Sequence, residues 1–75
     1  MSADIRKLLA ANPFIPFTIH LADGGAVRVP TSDHVFVFPT GSRLVVTHDD
    51  DNYDMISALL ISRVAVDAHP DNIAA

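Results

Sequence analysis

Residues 13–29, PFIPFTIHLADGGAVRV, constrain the fold more than any other stretch of this chain. Phe17, Ile19 and Leu21 alternate with Thr18, His20 and Ala22, the period of a strand with one apolar and one mixed face. Asp23-Gly24-Gly25 follows as a turn, and Val27 and Val29 then flank Arg28. Opposed residues of a hairpin share a face, so the loop length decides whether the apolar set stays together. A two-residue loop at Asp23-Gly24 would oppose Ile19 to Arg28. A three-residue loop, Asp23-Gly24-Gly25, opposes Leu21 to Val27, Ile19 to Val29 and His20 to Arg28, and keeps the apolar face whole. Such a loop needs one left-handed residue, and Gly25 is the expected occupant. A Gly25→Val change is therefore expected to strain the turn.

With 75 residues, the chain is expected to form one small domain over residues 1–67, with a frayed tail at 68–75. A domain of this size buries only about 60 % of its unfolded surface, so association or a metal often supports it. Cysteine is absent, which excludes disulfides, thiolate metal sites and cysteine nucleophiles and fits a reducing, cytoplasmic setting. The apolar fraction of 49 % argues against disorder. The formal charge is −4, and all nine acids are aspartate, a residue of turns and caps rather than of helices. A negative chain lacks the basic footprint that supplies most nucleic-acid affinity. Asp4, Arg6 and Lys7 interrupt the early apolar run, so no secretory leader is expected, and no run is long enough to span a membrane.

Residues 3–11 predict a short helix with Ile5, Leu8 and Leu9 on one face, Ser2 as its cap and Asp4 in its first turn. Alone it would not be stable, so its stripe must dock on the sheet. Asn12 and Pro13 end it. Val35–Phe38 and Arg43–Thr47 predict a second hairpin about the turn Pro39–Ser42, pairing Phe38 with Arg43, Val37 with Leu44, Phe36 with Val45 and Val35 with Val46. After the acidic turn 48–52, Tyr53–Ile56 reads as strand. A single helical turn near Ser57–Leu59 precedes a last strand, Leu60–Val66, with Val64 and Val66 inward. The class is mainly β (α+β): an N-terminal helix and a five-stranded antiparallel small barrel of the SH3-like or Sm-like kind.

Both faces of the second hairpin are apolar. Val35, Val37, Leu44 and Val46 form one, and Phe36, Phe38 and Val45 form the other, with Arg43 at its edge. A sheet with one wet face shows alternation, so both faces here call for a cover. The plain reading of the Phe36/Phe38/Val45 face is core beneath the N-terminal helix; the functional reading is an interface with a second copy or a protein partner.

The chemical constellations are weak. Asp50, Asn52 and Asp54 begin like a calcium loop, but Met55 and Ile61 stand where a glycine and a bidentate glutamate belong, so a solvated turn is the plainer reading. His20, His34, His48 and His69 lack zinc-site spacing, although a His34/His48/Asp33 cluster could form at one end of the second hairpin. Ser32-Asp33-His34 holds triad residue types, but sequence neighbours do not make a triad. Asp23-Gly24-Gly25 lacks the lysine and helix of a phosphate loop. His20 opposite Arg28 reads as a solvated cross-strand pair. No catalytic residue, cofactor or metal is assigned.

The pattern PFxPFxIxLxDG after a helix, followed by VxVP, resembles a family of short, functionally uncharacterised bacterial proteins. Phe14, Phe17, Ile19, Leu21, Asp23 and Gly24 carry the resemblance, which implies no activity. In layout, the helix, the FTIHLADG hairpin and the late LISRVAV strand look like the bacterial Sm-like RNA chaperones of the Hfq family. That resemblance implies ring assembly by strand edges and, for the family, RNA binding. The residues that would bind RNA do not carry over, since residues 58–62 are apolar and Asp49–Asp51 would repel phosphate. The expectation is a non-enzymatic interaction module that associates with itself or docks on another protein. The alternatives are an Sm-like RNA binder and, more remotely, a small metal- or ligand-binding protein.

Overall fold

A computed structural model describes residues 1–68. The elements run α1 (Ser2–Ala10), β1 (Phe17–Leu21), β2 (Ala26–Val29), β3 (Val35–Val37), β4 (Arg43–Thr47), β5 (Tyr53–Ser57) and β6 (Ile61–Val66). Short 3₁₀ turns at Ser32–His34 and Ala58–Leu60 precede β3 and β6. Two antiparallel three-stranded sheets result, ordered β2-β1-β6 and β3-β4-β5. The barrel is not closed, and among the described residues the strands number six, not five. The physical reason lies at the two crossings between sheets. Pro30 offers no amide hydrogen and a 3₁₀ turn follows it, while the second crossing is itself a 3₁₀ turn; neither lets a strand run unbroken from one sheet into the other.

The inner faces share one core. Ile5, Phe17, Ile19, Val29, Leu44 and Val46 are fully buried, and Val27, Ile56 and Ile61 nearly so. Among the described residues no polar or charged side chain is buried. The second hairpin pairs as its pattern predicts: Val35 with Val46, Phe36 with Val45, Val37 with Leu44, and the Phe38 amide donates to the Arg43 carbonyl at 3.0 Å.

The first hairpin differs. Phe17 opposes Val29, Thr18 opposes Arg28, Ile19 opposes Val27 and His20 opposes Ala26. The loop still has three residues, but they are Ala22-Asp23-Gly24, two positions from the expected register. The Gly24 amide donates to the Leu21 carbonyl at 3.0 Å, and Leu21 donates to Gly25 at 2.8 Å. Gly24, at φ 95°, holds the left-handed position assigned to Gly25. Asp23 fixes this choice, because its Oδ1 accepts the Gly25 amide at 2.8 Å. Gly25 is tight for another reason: a Cβ there would stand 3.1 Å from that same oxygen.

The helix starts at Ser2 without a side-chain cap, so Ser2 is its first residue rather than its cap. Ile5 enters the core, and Leu8 and Leu9 pack against it. Arg6 ties the helix to the β3–β4 turn, donating to the Phe38 carbonyl at 2.6 Å and the Pro39 carbonyl at 3.3 Å. In β6, Ser62 is a bulge: Leu21 pairs with Ile61 but His20 pairs with Arg63, and the Ser62 hydroxyl donates to the His20 carbonyl at 3.1 Å. Among the described residues, no helix is long and apolar enough to cross a membrane. The expected tail falls outside the described residues except for Ala68.

Candidate functional site

The outer face of the β3-β4-β5 sheet is the most chemically distinct surface. Register lays Phe36, Val45 and Met55 in one row across three strands. Arg43 and Ser57 flank that row on one side, and Thr47 and Tyr53 on the other. Phe38 joins Phe36 with ring centroids 5.9 Å apart and planes tilted by 57°. Phe36 is 61 % exposed, Met55 55 % and Tyr53 64 %. The helix does not cover this face, because Arg6 anchors it at the β3–β4 turn and Ile5 draws it onto the open end of the core. Phe36, Phe38, Val45 and Arg43 thus come together as expected. Met55 and Tyr53 complete the face; their alternation with Asp54 and Ile56 was the available signal.

The histidines go elsewhere. His34 spans two elements: its Nδ1 lies 2.7 Å from Thr31 Oγ1 and its Nε2 3.0 Å from Asp49 Oδ1. This hydroxyl–imidazole–carboxylate chain pins the first 3₁₀ turn to the β4–β5 turn. His48 instead takes Asp54, at 2.9 Å. The His34/His48/Asp33 cluster is therefore not formed, and no group of three possible metal ligands gathers among the described residues. His69 lies outside them. Ser32 and Asp33 sit in the 3₁₀ turn, and His34 contacts neither through its ring.

Within the acidic turn, Asp50 holds the turn's own shape. Asp50 accepts the Asn52 amide at 3.1 Å and the Asn52 side chain at 2.9 Å. Those hydrogen bonds, the backbone one foremost, lower the Asp50 pKa. Asp54, the third member of the calcium-like series, is held by His48.

On the outer face of the other sheet, Arg28 does not face His20. It lies opposite Thr18 and donates to its hydroxyl at 3.2 Å. It also grips both Asp67 oxygens, at 2.9 and 2.6 Å. The hydrogen bonds raise the Arg28 pKa and hold Asp67 below the usual carboxylate range. His20 lies between Ala26 and Arg63.

No family model matches this chain, and no curated protein or solved structure matches it.

Proposed function

We propose that this protein is a non-enzymatic interaction module that associates with a second copy of itself through the outer face of the β3-β4-β5 sheet. The observation that carries the reading is the row Phe36–Val45–Met55, exposed at Phe36 and Met55 with Val45 half-buried between them, continued by half-buried Phe38 and exposed Tyr53. Burying a large apolar side chain is worth about 1.5–3 kcal/mol, so leaving several exposed on one face favours a covering surface. The face is self-complementary. A two-fold axis along the central row sets each copy's Arg43 opposite the other's Thr47, one strand from Tyr53, within reach of a cation–π contact. A specific interface buries roughly 800 Å² per partner, more than three short strands present, so the surrounding turns must contribute. The resemblance to short bacterial proteins implies no activity, while the Sm-like layout read from the sequence agrees with self-assembly in a cytoplasmic setting. The acidic turn and the charge of −4 weigh against RNA as the ligand.

Light scattering coupled to size exclusion tests this. The expected result is a concentration-dependent multiple of 8.1 kDa, unchanged by oligo(U) RNA. The double variant Phe36→Ser/Met55→Ser should run as a monomer with its circular dichroism retained. A wild-type monomer at several hundred micromolar would overturn self-association.

A further inference from the structure

A second surface lies where the barrel fails to close. A groove of about 380 Å³ separates the free edge of β2 from the free edge of β5. Its walls include Ala26 and Val27 on one side and Met55 and Ile56 on the other, with Leu60 at one end. Val27 and Ile56 are nearly buried, so the groove opens onto the rim of the core. Leu60 is 53 % exposed and its neighbour Leu59 93 %, in a 3₁₀ turn whose Leu60 carbonyl is held by the Ala22 amide at 2.8 Å. A fixed turn presenting two leucines to water beside a groove is unusual unless something covers them.

The register says which backbone groups face the groove. Leu21 donates to Gly25, so the hydrogen-bonded pairs of the first hairpin are 21/25, 19/27 and 17/29. The amides and carbonyls of Ala26 and Arg28 then point away from β1. His48 donates to Asn52, so 48/52, 46/54 and 44/56 are the bonded pairs across β4 and β5. The backbone groups of Tyr53 and Met55 point away from β4. Both edges thus present unsatisfied donors and acceptors, and no other described strand pairs with either. The charged side chains lining the groove are both carboxylates, Asp23 and Asp54.

We infer that this groove binds an extended peptide segment that adds as a strand to the β2 or β5 edge, with apolar residues at alternate positions and lysine or arginine at its ends. Backbone complementarity selects an extended chain, Leu60 and Met55 select its apolar side, and the two aspartates select its charge. A second copy of this acidic chain is the poorer occupant. This surface adjoins the Phe36 face and shares Met55 with it, but the inference does not depend on self-association.

The test uses the full chain and three synthetic nonapeptides with a Val-Thr-Val-Thr-Val centre: one flanked by lysine pairs, one by glutamate pairs, and one lysine-flanked with proline replacing the central valine. Binding is followed by fluorescence anisotropy and by amide hydrogen exchange. The lysine-flanked peptide should bind at least tenfold tighter than either of the others. At saturation it should slow exchange at Ala26 and Arg28, or at Tyr53 and Met55, by tenfold or more. Asp54→Asn should weaken it several-fold and Phe36→Ser should not. Equal binding of the glutamate-flanked or proline peptide would overturn the inference. So would protection confined to the Asp49–Asp51 turn, or no saturable binding at millimolar peptide.

Discussion

Among the described residues three hold positive φ, and each closes a turn: Gly24 at 95°, Gly41 at 77° and Asp51 at 73°. All three turns are built alike. The amide of the left-handed residue donates three positions back, to Leu21, Phe38 or His48. The side chain just before it, Asp23, Thr40 or Asp50, accepts the amide two positions on. Only the third turn lacks glycine. A left-handed conformation costs an ordinary L-residue about 1–2 kcal/mol. Gly24→Ala, whose Cβ would meet nothing, should lose about 1 kcal/mol, read as a Tm drop of roughly 4–8 °C. Asp51→Gly should gain about 0.5 kcal/mol, the relieved strain less the freedom that glycine restores to the unfolded chain. The two glycines in sequence hid the first of these positions. Alternation fixes the parity of the Phe17–Val29 pairing, but a shift by two residues keeps every face and leaves the register open. The Asp23 carboxylate resolved it. Arg28 and Asp67 add a pH effect. The pair lowers the Asp67 pKa, so its contribution is present above the ordinary carboxylate value of 3.8 and is lost as pH falls through the lower folded value. Thermal melts of wild type and Asp67→Asn should differ at pH 7 and converge in strong acid.

At the scale of elements, the second hairpin was legible to the individual pair, because four residues fix its loop and both strands carry unbroken apolar runs. The helix was legible as a stripe, since Ile5, Leu8 and Leu9 leave it no other way to be stable. Its docking site was not. Arg6 binds backbone carbonyls more than thirty residues away, and carbonyls have no side-chain signature in a sequence. Ile5→Ala should cost about 2–4 kcal/mol in denaturant unfolding, a large part of the stability of so small a domain. Arg6→Met should cost about 1 kcal/mol, since its tether is solvent-exposed. The six extended segments were each readable. The count of five came from the barrel template, and what breaks that template is the pair of 3₁₀ crossings, where apolar patterning is silent.

For the whole molecule, two sheets share a core while one outer face and one seam between edges stay apolar and open. The four histidines can cancel the formal charge of −4 as they gain protons. Turbidity should therefore rise as pH approaches 5.2, because self-repulsion no longer opposes contact through exposed apolar surface. The Phe36→Ser/Met55→Ser variant should stay clear at the same pH. The bulge at Ser62 bears on how much chain this architecture requires. Without Ser62, the strand would read Ile-Arg-Val-Ala-Val, a strict alternation that preserves every pairing of Phe17–Leu21 from Val66 to Ile61. The last strand thus carries a spare letter. A lineage could delete that codon and keep the frame of the sheet, so the single-residue deletion should fold with a lower Tm, whereas deleting Val64, which sets Arg63 opposite the buried Ile19, should not fold.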